Sequence, residues 1–247
     1  MLILALDTSS IVASVALMDE EKLIGEYIIN HEKTHSQKLM PLIEALLTDC
    51  EHKLEEVDVI AVAEGPGSFT GLRIGVATAK GLAHGLDKPV VGISTLDGLA
   101  FNMPYCEGLI CPILDARRNQ VYTAVYKWED GMLNRIFEPV AVSIEALTEQ
   151  LKQRPEKVVF LGDGVKANEG FLREHLGSRV LLATQSAVMQ RASSIAELAL
   201  QKAKDGKLDS FYGLIPEYLR KSEAERQYEE KMKRCDQSGG ANDSIHE

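Results

Sequence analysis

The clearest chemical potential lies in Gly65-Pro66-Gly67-Ser68, a glycine turn between an apolar run and a helical stretch. A helix that starts there presents free backbone N–H groups, which favour a phosphate or another anion. Ser68 reads as the cap of that helix, its hydroxyl accepting an early backbone N–H. A nucleophilic role has less support, because the chain contains no G-x-S-x-G pattern. His31 and His35 stand four apart and could share one helical turn. A metal site needs three or four ligands, and no carboxylate or cysteine partner is evident, so surface histidines are the better reading. Cys50, Cys106, Cys111 and Cys235 form no C-x-x-C pair and no metal spacing, which suits reduced thiols. None of these patterns assembles a catalytic or metal centre by itself.

The elements that must position these residues follow from periodicity. Val57 to Ala63 is apolar except for Asp58 and reads as a strand buried on both faces. The helix from Ser68 to His84 carries Gly71, Gly75 and Ala79 at spacing four. Each interior glycine costs a helix roughly 1 kcal/mol, so this stripe implies close approach of another backbone or a partner helix. His35 to Asp49 places Leu39, Leu42, Ile43, Leu46 and Leu47 on one face of a second helix. If both faces point outward they form a two-helix docking surface, and two such surfaces make a four-helix bundle. If they point inward they pack only on their own sheet.

In chain order, strands are expected at Leu2–Leu6, Ile11–Met18 and Leu23–Ile29, then the helix at His35–Asp49 and the central strand-turn-helix. Val90–Ile93 and a helix from Thr95 to Met103 complete a βββαβα unit with one more strand and helix. Leu109–Leu114, Val121–Trp128 and Met132–Val140 repeat the opening, with Asp115 falling on Asp7. A helix at Ile144–Leu151 capped by Ser143, a strand at Val158–Leu161, and helices at Val165–Leu176 and Ala192–Ala203 follow. The chain reads as two copies of one unit, the second cut short. Expected domains are 1–105, a reduced 106–220, and a charged solvated tail at 221–247.

The 247 residues are 45% hydrophobic with a formal net charge of −10, so the chain lacks the cationic surface that nucleic-acid binding needs. Met1–Leu6 is too short for a signal sequence and no run approaches a membrane span, which predicts a cytoplasmic protein. Two lobes, each led by a strand ending in Asp, match the actin, hexokinase and heat-shock-70 architecture, whose turns cradle nucleotide phosphates and metal. Asp7-Thr8-Ser9-Ser10 fits the first such turn loosely and lacks its glycine. Asp115-Ala116-Arg117-Arg118 fits the second less well, and Gly162-Asp163-Gly164 takes the adenosine position with a carboxylate that opposes phosphate. Turn and cap roles for Asp7 and Thr8 are the alternative.

Four segments are specific enough to suggest a family: ILALDTSS at Ile3–Ser10, HSQKLMPLI at His35–Ile43, GPGSFTGLRIGVATAKGLA at Gly65–Ala83, and PEYLR at Pro216–Arg220. Through them the chain resembles the TsaB (YeaZ) family from Met1 to about Arg220. The resemblance implies a two-lobed, actin-like α/β fold of the ribonuclease H-like (ASKHA) kind. It implies work beside the related subunit TsaD and the ATPase TsaE. That assembly transfers threonylcarbamoyl from its adenylate to the adenosine next to the anticodon of tRNA. TsaD-like proteins carry NHLEGH, where this chain has Ser94-Thr95-Leu96-Asp97-Gly98-Leu99, with Thr95 and Leu99 in place of the ligand histidines. They also carry GGVAAN, where this chain begins at Asp163.

The resemblance therefore implies a non-catalytic relative, with no catalytic residue, no metal and no cofactor of its own, that binds and activates TsaD, supports assembly with TsaE, and pairs with itself when alone. It meets tRNA only through the complex. The expected docking residues are Leu39, Leu42, Leu46, Gly71, Arg73, Gly75, Val76, Ala79 and Lys80. A bulky residue at Gly75 is expected to weaken assembly without unfolding the lobe. Asp7, Thr8, Ser9, Asp115, Gly162 and Gly164 are expected as vestigial nucleotide loops. Two other readings are a sugar-kinase type phosphotransferase using Asp7 and Asp115, and a protease, for which no convincing nucleophile or metal site is present.

Overall fold

The computed structural model describes residues 1–31 and 35–220. The expected tail at 221–247 and Cys235 lie outside the described residues. Strands β1 (Ile3–Asp7), β2 (Val12–Met18), β3 (Leu23–Asn30), β4 (Val59–Gly65) and β5 (Val90–Ser94) form one sheet in the order β3-β2-β1-β4-β5. β1 pairs antiparallel with β2 and parallel with β4, in register from Ile3 opposite Val59 to Leu6 opposite Val62. β1 and β2 are buried at every position because helices cover both faces. Leu4 and Leu6 point toward α1 (His35–Asp49) and α2 (Phe69–Leu86). Ile3 and Ala5 point the other way, toward α6 (Ala192–Lys204).

The second sheet repeats this plan. Strands β6 (Leu109–Asp115), β7 (Gln120–Glu129), β8 (Met132–Ser143), β9 (Val158–Leu161) and β10 (Val180–Leu182) take the order β10-β9-β6-β7-β8. Helices α4 (Ile144–Lys152) and α5 (Val165–Leu176) cover one face, and α3 (Thr95–Phe101) covers the other. The duplicated two-lobed, actin-like architecture is therefore present. The second copy is shorter but not cut off. β9 and β10 have four and three residues against seven and five in β4 and β5, yet no strand is missing. β10 escaped the sequence because only three residues pair, and two of them, Leu181 and Leu182, are exposed.

The lobes exchange helices. α3 follows the first sheet but packs on the second, while α6 follows the second and packs on the first. They meet at Gly98, where an added Cβ would lie 2.6 Å from Ile195 Cδ1. The chain after α6 stays with the first lobe: Asp209 and Val90 exchange both backbone hydrogen bonds, and Leu214 is buried against the α1–α2 side. The expected boundary at 105/106 lies between α3 and β6, but residues 192–214 return across it.

Candidate functional site

The β1–β2 turn is closed by its own bonds. Asp7 is 1% exposed, and its Oδ1 accepts the Ser9 N–H at 2.9 Å and the Ser9 hydroxyl at 2.6 Å. Burial pushes the Asp7 carboxyl up to about 6, against the pull of the two Ser9 contacts and nearby His35. Thr8 Oγ1 donates to the Gly71 carbonyl at 2.8 Å, and Ser10 Oγ donates to Gln190 Oε1 at 2.8 Å. Ser68 caps α2 as expected, accepting from the Gly71 N–H, and its own N–H is bonded to Ser9 O at 2.7 Å. Of the hydroxyls that this strand end offers, Thr8 bonds α2, Ser9 bonds within the turn and Ser10 bonds Gln190 ahead of α6.

The β6–β7 turn is closed differently. The Asp115 N–H, which would face an anion, donates to Asp163 Oδ1 at 3.0 Å, and Asp115 Oδ1 accepts from the Arg117 N–H at 2.7 Å. Withdrawal of the Asp163 carboxyl from water raises its pKa; the Asp115 N–H opposes that and the Asp115 charge adds to it. Arg117, Arg118 and Asn119 are all left-handed, with φ of 60°, 52° and 59°. Gly162 and Gly164 press on β6: an added Cβ at Gly164 would lie 2.9 Å from Ile113 Cγ2. The two glycines expected near adenosine thus serve close packing in this chain.

Other candidate groups do not assemble into a centre. His35 Nε2 bonds the Ser10 carbonyl at 2.7 Å while His31 is exposed, and no group of three His, Cys, Asp or Glu among the described residues could hold a metal. Cys111 is buried and its thiol is pushed up to about 12 by that burial. Thr95 is buried, and Leu99 packs in the second sheet's core.

The two helices expected to dock lie side by side on the first sheet, and the stripe chosen from spacing is the inner one. Leu39, Leu42, Leu46, Val76 and Ala79 are core residues. Gly71 and Gly75 admit the β1–β2 turn: an added Cβ at Gly71 would meet the Thr8 carbonyl, and one at Gly75 would lie 2.5 Å from Thr8 Oγ1. The spacing revealed a close approach, but the approaching backbone is the chain's own. A bulky residue at Gly75 would therefore disturb the lobe itself. Arg73 is exposed and donates to Tyr218 Oη at 3.0 Å; Lys80 is half-buried and donates to the Leu214 carbonyl at 3.0 Å.

The outward face carries a second small stripe two residues away: Ala77, Gly81 and Gly85, all exposed. Nothing lies within 4 Å of a Cβ added at Gly81 or Gly85. Half-buried Ile74 and Thr78 flank the stripe, and α1 beside it exposes Met40, Pro41, Glu44 and Ala45, with Met40 48% exposed. The repeat of four in A-x-x-x-G-x-x-x-G was visible in the sequence but gave no means of telling the outer stripe from the inner.

Comparison with known proteins now bears on the assignment. The family model described as TsaD, tRNA N6-adenosine threonylcarbamoyltransferase, matches residues 22–228. The chain is 39% identical to the tRNA threonylcarbamoyladenosine biosynthesis protein TsaB of Bacillus subtilis, over 94% of this chain and 100% of that protein. The chain belongs to the TsaB (YeaZ) family. It is 30% identical to the Escherichia coli TsaB over 91% of this chain and 96% of that protein. YeaZ from Pseudomonas aeruginosa superposes with a TM-score of 0.72 at 27% identity, covering 88% of this chain and 99% of that one.

Proposed function

We propose that this chain is a non-catalytic subunit in tRNA threonylcarbamoyladenosine biosynthesis, which docks and activates TsaD through the outward face of α1 and α2. The observation that carries the reading is the exposed Ala77–Gly81–Gly85 stripe beside Met40. Two helices with an open small-residue groove between bulkier flanks accept two helices of a partner at short interaxial distance. The related TsaD subunit is that partner, the same face pairs two copies of this chain when TsaD is absent, and the resulting assembly receives TsaE. tRNA is engaged by the assembly, in keeping with the net charge of −10.

The non-catalytic part of the reading is supported by the turns. Asp163 occupies the Asp115 N–H, and the Thr8, Ser9 and Ser10 hydroxyls are bonded within the chain. A phosphotransferase would need those groups free for phosphate. The test is calorimetric titration of TsaD into the wild-type chain and into Gly81→Trp. Tight binding by the wild type, weakened at least tenfold (about 1.4 kcal/mol) in the variant with no change in melting temperature, is the expected result. Equal affinity of the two proteins would overturn the docking face. No binding by either, with saturable magnesium-ATP heat, would favour the phosphotransferase reading.

A further inference from the structure

The segment that follows Leu214 runs from the first lobe to the β6–β7 turn of the second. Its backbone is fixed first to the central glycine turn: the Glu217 N–H donates to the Glu64 carbonyl at 2.6 Å. The Glu217 carbonyl lies so close to Gly65 that no side chain fits there, and Gly65 has a φ of 138°, open to glycine. Tyr218 then stacks on Phe69 at the start of α2, with ring centroids 4.5 Å apart and planes 12° from parallel. Arg73 reaches the Tyr218 hydroxyl and lies 5.8 Å from its ring centroid. One residue later the chain is in the other lobe. Leu219 packs against the second sheet's core, and Arg220 Nη1 donates to the carbonyls of Ala116 at 2.5 Å and Arg117 at 3.3 Å.

Arg220 lands on a turn of unusual backbone shape. Three successive non-glycine residues, Arg117, Arg118 and Asn119, hold left-handed angles, which are unfavourable for the two arginines and tolerated by the asparagine. Such a turn persists when its surroundings over-determine it. The Ala116 and Arg117 carbonyls converge on the Arg220 guanidinium, two residues beyond Tyr218, which is stacked on the first lobe. We infer that residues 215–220 are a latch: they tie the glycine turn and α2 of the first lobe to the β6–β7 turn of the second, and hold that turn in its left-handed shape. The shared helices α3 and α6 join the lobes elsewhere, so the strap is a second, separate tie between them. Arg73 gives the latch a contact with the outward side of α2, so disturbance at that helix is felt at the far turn.

Hydrogen–deuterium exchange on the full chain tests this. The readout is the amides bonded within the turn, Ala116 to the Gln120 carbonyl and Gln120 to the Arg117 carbonyl. In Arg220→Ala these amides exchange at least tenfold faster, while β1 and β6 keep wild-type protection. Arg220→Lys, with one donor head and no fork, falls between the two. The decisive variant is Tyr218→Leu, whose lost ring stacking and hydroxyl bond both lie in the first lobe. It accelerates Ala116 and Gln120 as well as the amides around Phe69. If Tyr218→Leu loosens only residues near Phe69, or if Arg220→Ala leaves the turn at wild-type rates, the strap is ordinary surface packing and the latch is wrong.

Discussion

The carboxylate of Asp163 accepts the backbone N–H of Asp115 at 3.0 Å, joining two turns 48 residues apart. An anion arriving at the β6–β7 turn would have to displace that carboxylate and bear its charge. Asp163→Ala removes both obstacles. Titration with magnesium-ATP should therefore give at least tenfold tighter binding for Asp163→Ala than for the wild type. Equal binding, or none in either protein, would mean that the turn has no remaining capacity for phosphate and that Asp163 serves packing alone.

Asp7 supplies a pH dependence with a defined sign. Its carboxyl is raised from the usual 3.8 to about 6 by burial, so the folded state favours the neutral acid. The stability this brings is complete below about pH 4 and is lost as pH rises through 6; a shift of this size amounts to about 3 kcal/mol. Asp7→Asn keeps an oxygen for the two Ser9 donors and removes the charge. Urea denaturation at pH 4.5 and 7.5 should show the variant gaining on the wild type as pH rises. A difference that stays the same at both pH values would sink the assignment of the shift to Asp7.

The inner and outer stripes of α2 should separate stability from association. Gly75→Leu drives a side chain into Thr8 and Val62, and overpacking of this kind typically costs about 1–3 kcal/mol. Gly81→Leu meets open space, and replacing an exposed helical glycine is worth up to about 1 kcal/mol in the other direction. Melting curves should fall for the first and hold or rise for the second. If both variants melt alike, the assignment of the two faces is reversed or incomplete.

Periodicity made most of the fold legible. α1 falls at His35–Asp49, β9 at Val158–Leu161 and α5 at Val165–Leu176, as the apolar spacing predicts. The Ser68 and Ser143 caps accept from Gly71 and Ala146, as their position before a helix implies. What periodicity could not supply is the identity of a neighbour. Gly71 and Gly75 announce a close approach, but only the fold reveals that it is Thr8. The exchange of α3 and α6 between lobes is invisible for the same reason: each has an apolar face, and either sheet could cover it. Asp163 was read as repelling a phosphate, but the bond to Asp115 that gives it a structural role depends on two turns meeting in space.

Thiol chemistry offers a check on the second lobe's core. Cys111 sits in β6 with its Sγ 3.4 Å from Thr123 Oγ1, and burial pushes the thiol up to about 12. Only the thiolate reacts at useful rates, and a thiol so far above neutral pH presents almost none. Cys50 and Cys106 are half-buried, and burial raises both. Alkylation of the native protein followed by peptide mapping should label Cys50 and Cys106 before Cys111, which stays unmodified until the protein unfolds. Adding urea should expose Cys111 together with the loss of β6 amide protection, because the residue is reached only when the strand leaves its sheet. Labelling of Cys111 in native buffer, at a rate near that of Cys106, would require local opening of β6 well below the global transition, and would contradict the packing of this strand between α3 and the α4–α5 layer.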